Sequence, residues 1–310
     1  MSNTNYADCA CCPRLCRADR EGGKKGFCGE DMRLRVAAAA IHRGEEPPIS
    51  GKGGSGAIFL TGCNLRCVFC QNYQISHQGM GSFVAKNEFA NICLALQERG
   101  AENINIVTGS HAVPAIVQAL ECAKMSGLSI PVLWNSSAYE TIETLTLLRD
   151  AIDIYLPDLK TLDGRLAKQF FGAEDYPRYA VAAIKTMLEF KPHQVIIRHL
   201  VLPGHLESTY DVLRWFADNA RGRADLSLMT QYTPRPPYPP SAPQRYVNNC
   251  EYDTIMSWLA EFEIDDGYYQ ELETGSEWLP DFTQENPFPS ELSIPVWHWR
   301  EGYSAAPRLD

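Results

Sequence analysis

Six short apolar runs, separated by stretches with a helical pattern, constrain the fold of this chain more than any other feature. Each run is brief, rich in β-branched residues and bordered by turn-forming residues, which is typical of strands buried in a parallel sheet. Between them, stretches such as 87–99 place apolar residues at the spacing of one helix face. The six runs are 57–62, 103–108, 130–135, 152–158, 195–202 and 226–232.

Strands that alternate with helices predict right-handed βαβ units and hence an α/β fold with a parallel sheet. A doubly wound sheet and a partial barrel both fit this pattern. Six prolines between 234 and 243 end the regular core, and only one further helix, 252–262, is indicated. The prediction is a Cys-rich extension (1–56), a β/α core (57–240) and a C-terminal capping region (241–310) whose aromatic residues pack over the core.

Composition excludes several classes of protein. The 310 residues are 45% hydrophobic and 21% charged, which is ordinary for a globular protein. No apolar run reaches the length of a membrane span, and the N-terminus has no signal-peptide pattern, so a cytoplasmic protein is expected. The net charge is −10, with fourteen acidic and two basic residues from Glu251 onward. This acidic C-terminal region argues against a nucleic-acid enzyme.

Three of the eleven cysteines form the most informative motif. Cys63, Cys67 and Cys70 stand in a Cys-x3-Cys-x2-Cys loop directly after the first run. In a reducing compartment, dense cysteines indicate metal binding or catalysis. Three thiolates can hold three irons of a [4Fe–4S] cluster and leave the fourth open to a methionine moiety. A zinc site that lacks one ligand, a buried apolar trio and a ferredoxin-like cluster are weaker alternatives, because zinc sites are usually built from Cys-x2-Cys pairs.

A second cysteine group precedes the core. Cys9, Cys12, Cys16 and Cys28 give Cys-x2-Cys-x3-Cys-x11-Cys, with glycines that supply turns. Four thiolates close a structural zinc or a second iron–sulfur cluster equally well. Zinc is preferred here, and Cys11 is left over, although it could exchange with Cys12.

The loop of Cys63, Cys67 and Cys70, with Phe69 before the last cysteine, resembles that of radical S-adenosylmethionine (SAM) enzymes. Within them, the chain resembles an uncharacterised branch related to pyruvate formate-lyase activating enzyme. The motifs that carry this resemblance are Cys12-Pro13-Arg14, Gly26-Phe27-Cys28, Gly54-Ser55-Gly56, Cys70-Gln71-Asn72 and Asn103-Ile104-Asn105. The resemblance implies a partial (β/α)6 barrel with a Cys-rich N-terminal extension and an irregular acidic C-terminal region. It also implies reductive cleavage of SAM at a [4Fe–4S] cluster under anaerobic conditions.

The same resemblance assigns cofactor-binding roles to six residues. Phe69 would lie beside the adenine, and Thr108 stands where the family has a Gly-Gly-Glu segment for the methionine amino group. In this chain that segment reads Thr-Gly-Ser-His, without a glutamate. The other positions are Asn135 near the cofactor, Asp158 and Lys160 facing the methionine carboxylate and substrate, and Arg198 near the carboxylate or ribose. A salt-bridge set at the barrel rim is the alternative for the three charged residues.

The function implied is formation of a 5′-deoxyadenosyl radical that abstracts a hydrogen atom. The substrate by resemblance is the backbone glycine of a glycyl-radical enzyme. Radical modification of a peptide or small metabolite is the alternative among enzymes, and a noncatalytic iron–sulfur electron carrier is the alternative from another class. The expected partners are a low-potential electron donor, flavodoxin or ferredoxin, and an unidentified substrate, with neither nucleic acid nor membrane.

Overall fold

A computed structural model describes residues 6–234, 242–272, 275–276 and 278–305. Its centre is a series of parallel strands that follow the chain in order. They are β2 (Ser55–Leu60), β4 (Ile104–Val107), β5 (Val132–Ser136), β6 (Ile154–Pro157), β7 (Ile196–Leu200), β8 (Asp225–Met229) and β9 (Gly267–Tyr269). The first six correspond to the six predicted apolar runs, and β9 adds a further parallel strand beside β8.

Strand order decides between the two folds that the sequence allowed. A doubly wound sheet reverses its strand order at a switch point, whereas here the parallel strands keep their chain order in two groups, β2-β4-β5-β6 and β7-β8-β9. Two isolated parallel bridges, Tyr155–Val195 and Asp158–Arg198, connect β6 to β7 in the described part of the chain. When the strand order does not reverse, all helical connections between the strands lie on the same face of the sheet. The sheet then curves around a lumen. The fold is therefore the predicted partial (β/α)6 barrel.

Antiparallel strands extend the sheet beyond β2. Strand β1 (Leu34–His42) pairs with β2 on one side and with β10 (Ser293–His298) on the other. The short strands β3 (Ser82–Val84) and β11 (Gly302–Tyr303) pair with β1 and β10. Both terminal regions thus add strands to the sheet of the core. The sequence analysis did not predict these four strands.

Most of the helices cover the outside of the barrel, whereas the short α1 lies at the start of the strands. The predicted helix 87–99 is found as α3 (Lys86–Glu98), and the predicted helix 252–262 is found as α9 (Asn249–Glu261). The others are α1 (Pro47–Ser50), α2 (Tyr73–Ser76), α4 (Val113–Met125), α5 (Ile142–Leu148), α6 (Gly164–Phe171), α7 (Tyr176–Phe190) and α8 (Leu206–Asn219). Among the described residues, no helix is long and apolar enough to cross a membrane.

An apolar plug lies at the start of the strands. Ile49 of α1 packs against Leu133, Leu156 and Ile196, which belong to β5, β6 and β7. Residues that alternate along a strand share a face, so this cluster marks the side chains that point into the lumen. The plug leaves the opposite end, where the parallel strands finish, as the mouth of the barrel.

Aromatic residues of the C-terminal region pack where the antiparallel strands meet the barrel. Phe282 and Phe288 contact Phe59 of β2, with ring centroids 5.5 and 5.2 Å apart. Trp297 and His298 of β10 are buried, in agreement with the expectation that these aromatic residues pack over the core. Prolines 236, 237, 239 and 240 lie outside the described residues.

Candidate active site at the mouth of the barrel

The three-cysteine loop leaves β2 at the mouth and is held by main-chain contacts. The amides of Arg66 and Val68 donate to the carbonyls of Phe171 and Phe170, 3.0 and 2.9 Å away at the end of α6. On the other side, the Asn64 amide group donates to the Tyr139 carbonyl (2.7 Å). Contacts of this kind fix a loop that has no regular structure of its own.

The thiols of this loop interact with one another. Cys63, Cys67 and Cys70 are half-buried, and their mutual repulsion opposes ionisation. Burial raises the pKa of Cys63 to about 11 and raises that of Cys67 above its usual range, while the Lys160 ammonium acts in the opposite direction on both. Three thiolates so close together therefore need positive charge beside them.

The donor set fits an iron–sulfur cluster better than a single metal ion. Within the part of the chain that the structure describes, no three His, Cys, Asp or Glu side chains converge on a point suited to one metal ion. Each thiolate of a [4Fe–4S] cluster binds its own iron atom, so convergence is not required there. Cys63, Cys67 and Cys70 are the residues that would hold such a cluster.

Asp158 and Lys160 follow β6 at the same rim and form an ion pair. Lys160 Nζ lies 2.6 Å from Asp158 Oδ2. Burial favours the neutral amine, but the neighbouring carboxylate and Cys67 outweigh it and raise the pKa of Lys160. The Tyr176 hydroxyl donates to the Asp158 carbonyl (2.7 Å) and accepts from the Lys160 amide (3.0 Å). Tyr176 thus holds the main chain of the pair, and the contact between Asp158 and Lys160 is the one that the salt-bridge alternative describes.

Thr108 and Asn135 lie side by side at the ends of β4 and β5, where the Thr108 amide donates to the Asn135 carbonyl (2.9 Å). Thr108 has a positive φ of 63°, which is uncommon for a residue other than glycine. Both side chains remain half-buried at the rim. The structure thus brings together two residues that the sequence placed near the cofactor.

A buried glutamate that the sequence analysis missed organises this rim. Glu140 accepts hydrogen bonds from the Ser110 hydroxyl (2.7 Å), the Trp134 indole (2.7 Å) and the Ser136 hydroxyl (3.2 Å). Burial raises the pKa of this carboxyl, and the three donors act against that effect. Glu140 ties the segment after β4 to the end of β5, and no spacing in the sequence indicated it.

Arg198 on β7 is occupied by two glutamates. Its Nε donates to Glu46 Oε1 (2.8 Å), and its Nη2 donates to Glu45 Oε2 (2.6 Å) and also to Glu46 Oε2. Burial disfavours the charged guanidinium, but these carboxylates raise its pKa. For Arg198, the ion-pair alternative describes the contacts that the structure shows. The two glutamates precede α1 and were not predicted.

Phe69 packs in an aromatic group at the mouth. Its ring centroid lies 5.2 Å from that of Tyr232, 5.9 Å from that of Phe171 and 6.0 Å from that of Phe170. The residue as a whole is half-buried.

Two of the N-terminal cysteines, Cys9 and Cys28, lie beside a buried arginine close to the cluster loop. Arg20 donates to Cys9 Sγ (3.5 Å) and to the carbonyls of Asp31 and His111. Cys9, Cys12 and Cys28 are buried with Cys11, whereas Cys16 is exposed. A Cβ atom at Gly26 would lie 3.3 Å from Cys16 Sγ and 3.4 Å from Cys28 Sγ, so Cys16 still faces the group. This arrangement shows no single-ion geometry, and the metal stays a prediction.

Comparison with known proteins identifies the class of enzyme. A sequence model of the radical SAM superfamily matches residues 57–216, which include the barrel strands from β2 to β7. The chain belongs to this superfamily and is a radical SAM enzyme; the family implies a [4Fe–4S] cluster, SAM, a reductant and a substrate. An uncharacterised protein of Methanocaldococcus jannaschii is 30% identical over 236 residues, which cover 74% of this chain and 67% of the relative.

Solved structures show the same fold at low identity. SuiB of Streptococcus suis bound to S-adenosylmethionine is 16% identical, with a TM-score of 0.51 over 70% of this chain and 52% of that chain. A radical SAM methyltransferase from Sphaerobacter thermophilus is 13% identical, with a TM-score of 0.51 over 70% and 66%. This chain spans about half the length of SuiB. At these identities the likeness concerns the fold alone.

Proposed function

We propose that this chain cleaves SAM reductively at a [4Fe–4S] cluster held by Cys63, Cys67 and Cys70. The cluster and SAM together would supply a 5′-deoxyadenosyl radical, which abstracts a hydrogen atom from the substrate. The observation that carries the proposal is the position of the thiols at the barrel mouth beside the Asp158–Lys160 pair. Such a pair offers both charges that a zwitterionic methionine end requires.

The chain's own residues would orient SAM at the rim. Lys160 lies beside Cys67 and carries the positive charge near the thiolates, and Asp158 holds that ammonium in place. Thr108 and Asn135 would contact the methionine and ribose portions, and Phe69 would pack against the adenine. Arg198, which Glu45 and Glu46 hold in place within the lumen, would contribute to the orientation of SAM near its carboxylate or ribose. These roles rest on adjacency at the ends of consecutive strands, where barrels of this kind place ligands.

The substrate and the electron donor belong to the same proposal. The chain would act on the glycine of a glycyl-radical enzyme or, alternatively, on another peptide or a small metabolite. A flavodoxin or ferredoxin would supply the electron. Arg14 and Arg66 lie over the exposed Phe27 ring, 3.9 and 5.0 Å from its centroid, next to the cluster loop. Two neighbouring guanidinium groups on a chain of net charge −10 favour docking of an acidic carrier at this place.

Cys9, Cys12, Cys16 and Cys28 would hold a second metal, a zinc ion or an iron–sulfur cluster. The support is the buried Arg20, whose guanidinium contacts Cys9 Sγ directly. A buried cation needs an anionic partner, and a metal–thiolate group with net negative charge would provide one. The division into an extension at 1–56, a barrel at 57–240 and a capping region at 241–310 stays a proposal, and β1, β10 and β11 join both terminal regions to the sheet of the barrel.

The experiment that tests the main proposal uses anaerobically reconstituted protein reduced with dithionite. Release of methionine and 5′-deoxyadenosine from SAM is expected, together with a change in the electron paramagnetic resonance signal of the cluster when SAM is added. Cys67→Ala should abolish both, while Cys250→Ala, at an exposed cysteine of α9, should keep both. A SAM-responsive cluster in the variant that lacks all three loop cysteines would overturn the proposal, and an electron carrier would show the cluster without cleavage.

A further inference from the structure

The lumen below the cluster loop contains more carboxylates than cations. Glu45, Glu46 and Asp158 bring three negative charges, whereas Arg198 and Lys160 bring two positive ones. Each cation is already in contact with a carboxylate. Each of the three carboxylates also contacts a cation, but the described residues of this network keep one negative charge in excess, and an excess buried charge is costly unless a ligand meets it.

His42 does not supply the missing charge. Its Nδ1 atom lies 4.0 Å from Glu45 Oε1, and it accepts a hydrogen bond from the Gly44 amide (3.2 Å). A ring nitrogen that accepts a hydrogen bond carries no proton, so the imidazole is neutral. Burial also lowers the pKa of His42.

An unpaired acceptor lies next to Glu45. The Asn105 side chain is fully buried on β4, and its Nδ2 donates to Glu45 Oε1 (3.0 Å). A carboxylate only accepts, so the amide must present its nitrogen to Glu45. Its Oδ1 atom is then left without any hydrogen-bond partner. Buried acceptors without a partner are rare and call for a donor.

An aromatic surface completes this place in the lumen. Phe288 packs edge-on against His42, with ring centroids 4.8 Å apart, and against Phe59 at 5.2 Å. Aromatic faces attract cations and accommodate the methylene groups that carry them. The Glu45 and His42 side chains keep 13% and 15% of their surface exposed, so a ligand can reach them.

We propose that Glu45, Asn105 and Phe288 bind a protonated primary amine carried by the substrate. An ammonium group donates to the free acceptor of Asn105, meets the excess carboxylate charge and lies against the ring. A lysine side chain of a peptide and a small aliphatic amine share this chemistry. The inference rests on the proposed function, because it makes the lumen the substrate site. It favours an amine-bearing peptide or metabolite over a bare backbone glycine.

The test compares two probes that differ only in the amine. Nα-acetyl-L-lysine methylamide and Nα-acetyl-L-norleucine methylamide are titrated by calorimetry into the reconstituted, SAM-loaded full chain. The lysine probe should bind saturably and at least tenfold more tightly than the norleucine probe. Glu45→Gln should lower affinity for the lysine probe by roughly ten- to a hundredfold. Glu143→Gln, at an exposed glutamate of α5, should change nothing.

Asn105→Leu provides a second variant if Glu45→Gln does not fold. It should lower the affinity for the lysine probe without creating affinity for the norleucine probe. Equal binding of the two probes, binding of neither, or an unchanged affinity in a folded variant overturns the inference. Cleavage of SAM by dithionite-reduced protein is measured in parallel. If cleavage occurs and the lysine preference is absent, only the amine site is wrong; if cleavage is absent, the proposed function fails by itself.

Discussion

Lys160 Nζ lies 2.6 Å from Asp158 Oδ2 and at the same time acts on the Cys67 thiol, whose pKa it lowers against the effect of burial. One ammonium group therefore serves both the ion pair at the end of β6 and the cluster loop after β2. We therefore expect Asp158 and Lys160 to act together, because removal of either residue changes the charge beside the thiolates of the cluster loop.

Replacement of Lys160 by methionine should weaken SAM binding and leave the cluster in place. A charge-assisted contact is worth about 1.5–3 kcal/mol, so the affinity should fall by roughly ten- to a hundredfold and 5′-deoxyadenosine formation should be lost. Equilibrium binding of SAM and iron content measure the two effects. Lys185→Met, at an exposed lysine of α7, is the matched control. Parent affinity and parent cleavage in both Lys160→Met and Asp158→Ala would contradict the assignment.

Replacement of Glu140 by alanine should destabilise the whole barrel. The change leaves the donors of Ser110, Trp134 and Ser136 buried without an acceptor. Each orphaned donor costs about 1–3 kcal/mol, so the free energy of unfolding should fall by about 3 kcal/mol or more in urea denaturation. Glu143→Ala on the exposed face of α5 should stay within about 0.5 kcal/mol of the parent. Equal stability of the two variants would remove Glu140 from its organising role.

Acid should destabilise the protein partly through His199. Its Nδ1 lies 2.8 Å from the Leu159 carbonyl and its Nε2 lies 3.0 Å from Thr209 Oγ1, and burial lowers its pKa to about 4. The unfolded chain takes up a proton near pH 6.5, before the folded chain does. Stability contributed by the neutral ring is therefore complete above pH 6.5 and lost toward pH 4, with a slope of about 1.4 kcal/mol per pH unit.

Urea denaturation of His199→Gln between pH 8 and pH 4.5 checks this expectation. The variant should be less stable than the parent at pH 8, because hydrogen bonds are lost, but its stability should decline less steeply with acid. A slope identical to that of the parent would show that His199 does not titrate in this range.

The N-terminal cysteines should bind a metal whose loss lowers stability while the cluster of the barrel survives. Cys28→Ala and Cys12→Ala each remove a buried thiol of this group, and the Cys28 thiol lies beside Arg20. Metal analysis should find about one zinc per chain, or roughly four extra irons, in the parent protein and not in the variants. A drop in thermal stability should accompany that loss. Unchanged metal content and stability in Cys16→Ala would leave Cys16 as a free thiol.

The sequence predicted the parallel strands, because they are buried on both sides and bounded by turns, as in 104–107 and 132–136. The choice of a barrel came from the family resemblance, because the strand pattern also fitted a doubly wound sheet. It did not predict β1, whose Val36-to-Ile41 stretch contains four alanines, and alanine favours helices. Pairing with β2 and β10 overrides that preference. Tertiary pairing of this kind has no local signal in the sequence.

The candidate site was predictable where one short motif carries it. Cys63, Cys67 and Cys70 lie within eight residues, and Asp158 and Lys160 share one strand end. The partners of Arg198 were not predictable, because Glu45 and Glu46 lie about 150 positions earlier in the chain and meet it only across the lumen. The role of Asn105 was not predictable either, because a polar residue inside a buried strand is explained only by its hydrogen bond to Glu45, which lies far away in the sequence.

Strand β1 needs a neighbour from the far side of the sequence, since Ala38 pairs with His298. A ribosome that adds about 5–20 residues per second releases the two strands roughly fifteen to fifty seconds apart. For that interval the stretch of β1 from Ala38 to His42 lacks its β10 partner on one edge, and unpaired edges invite aggregation. The loop cysteines emerge early in the same interval. The cysteine loop is thus synthesised long before β10 pairs with β1 and closes this part of the sheet.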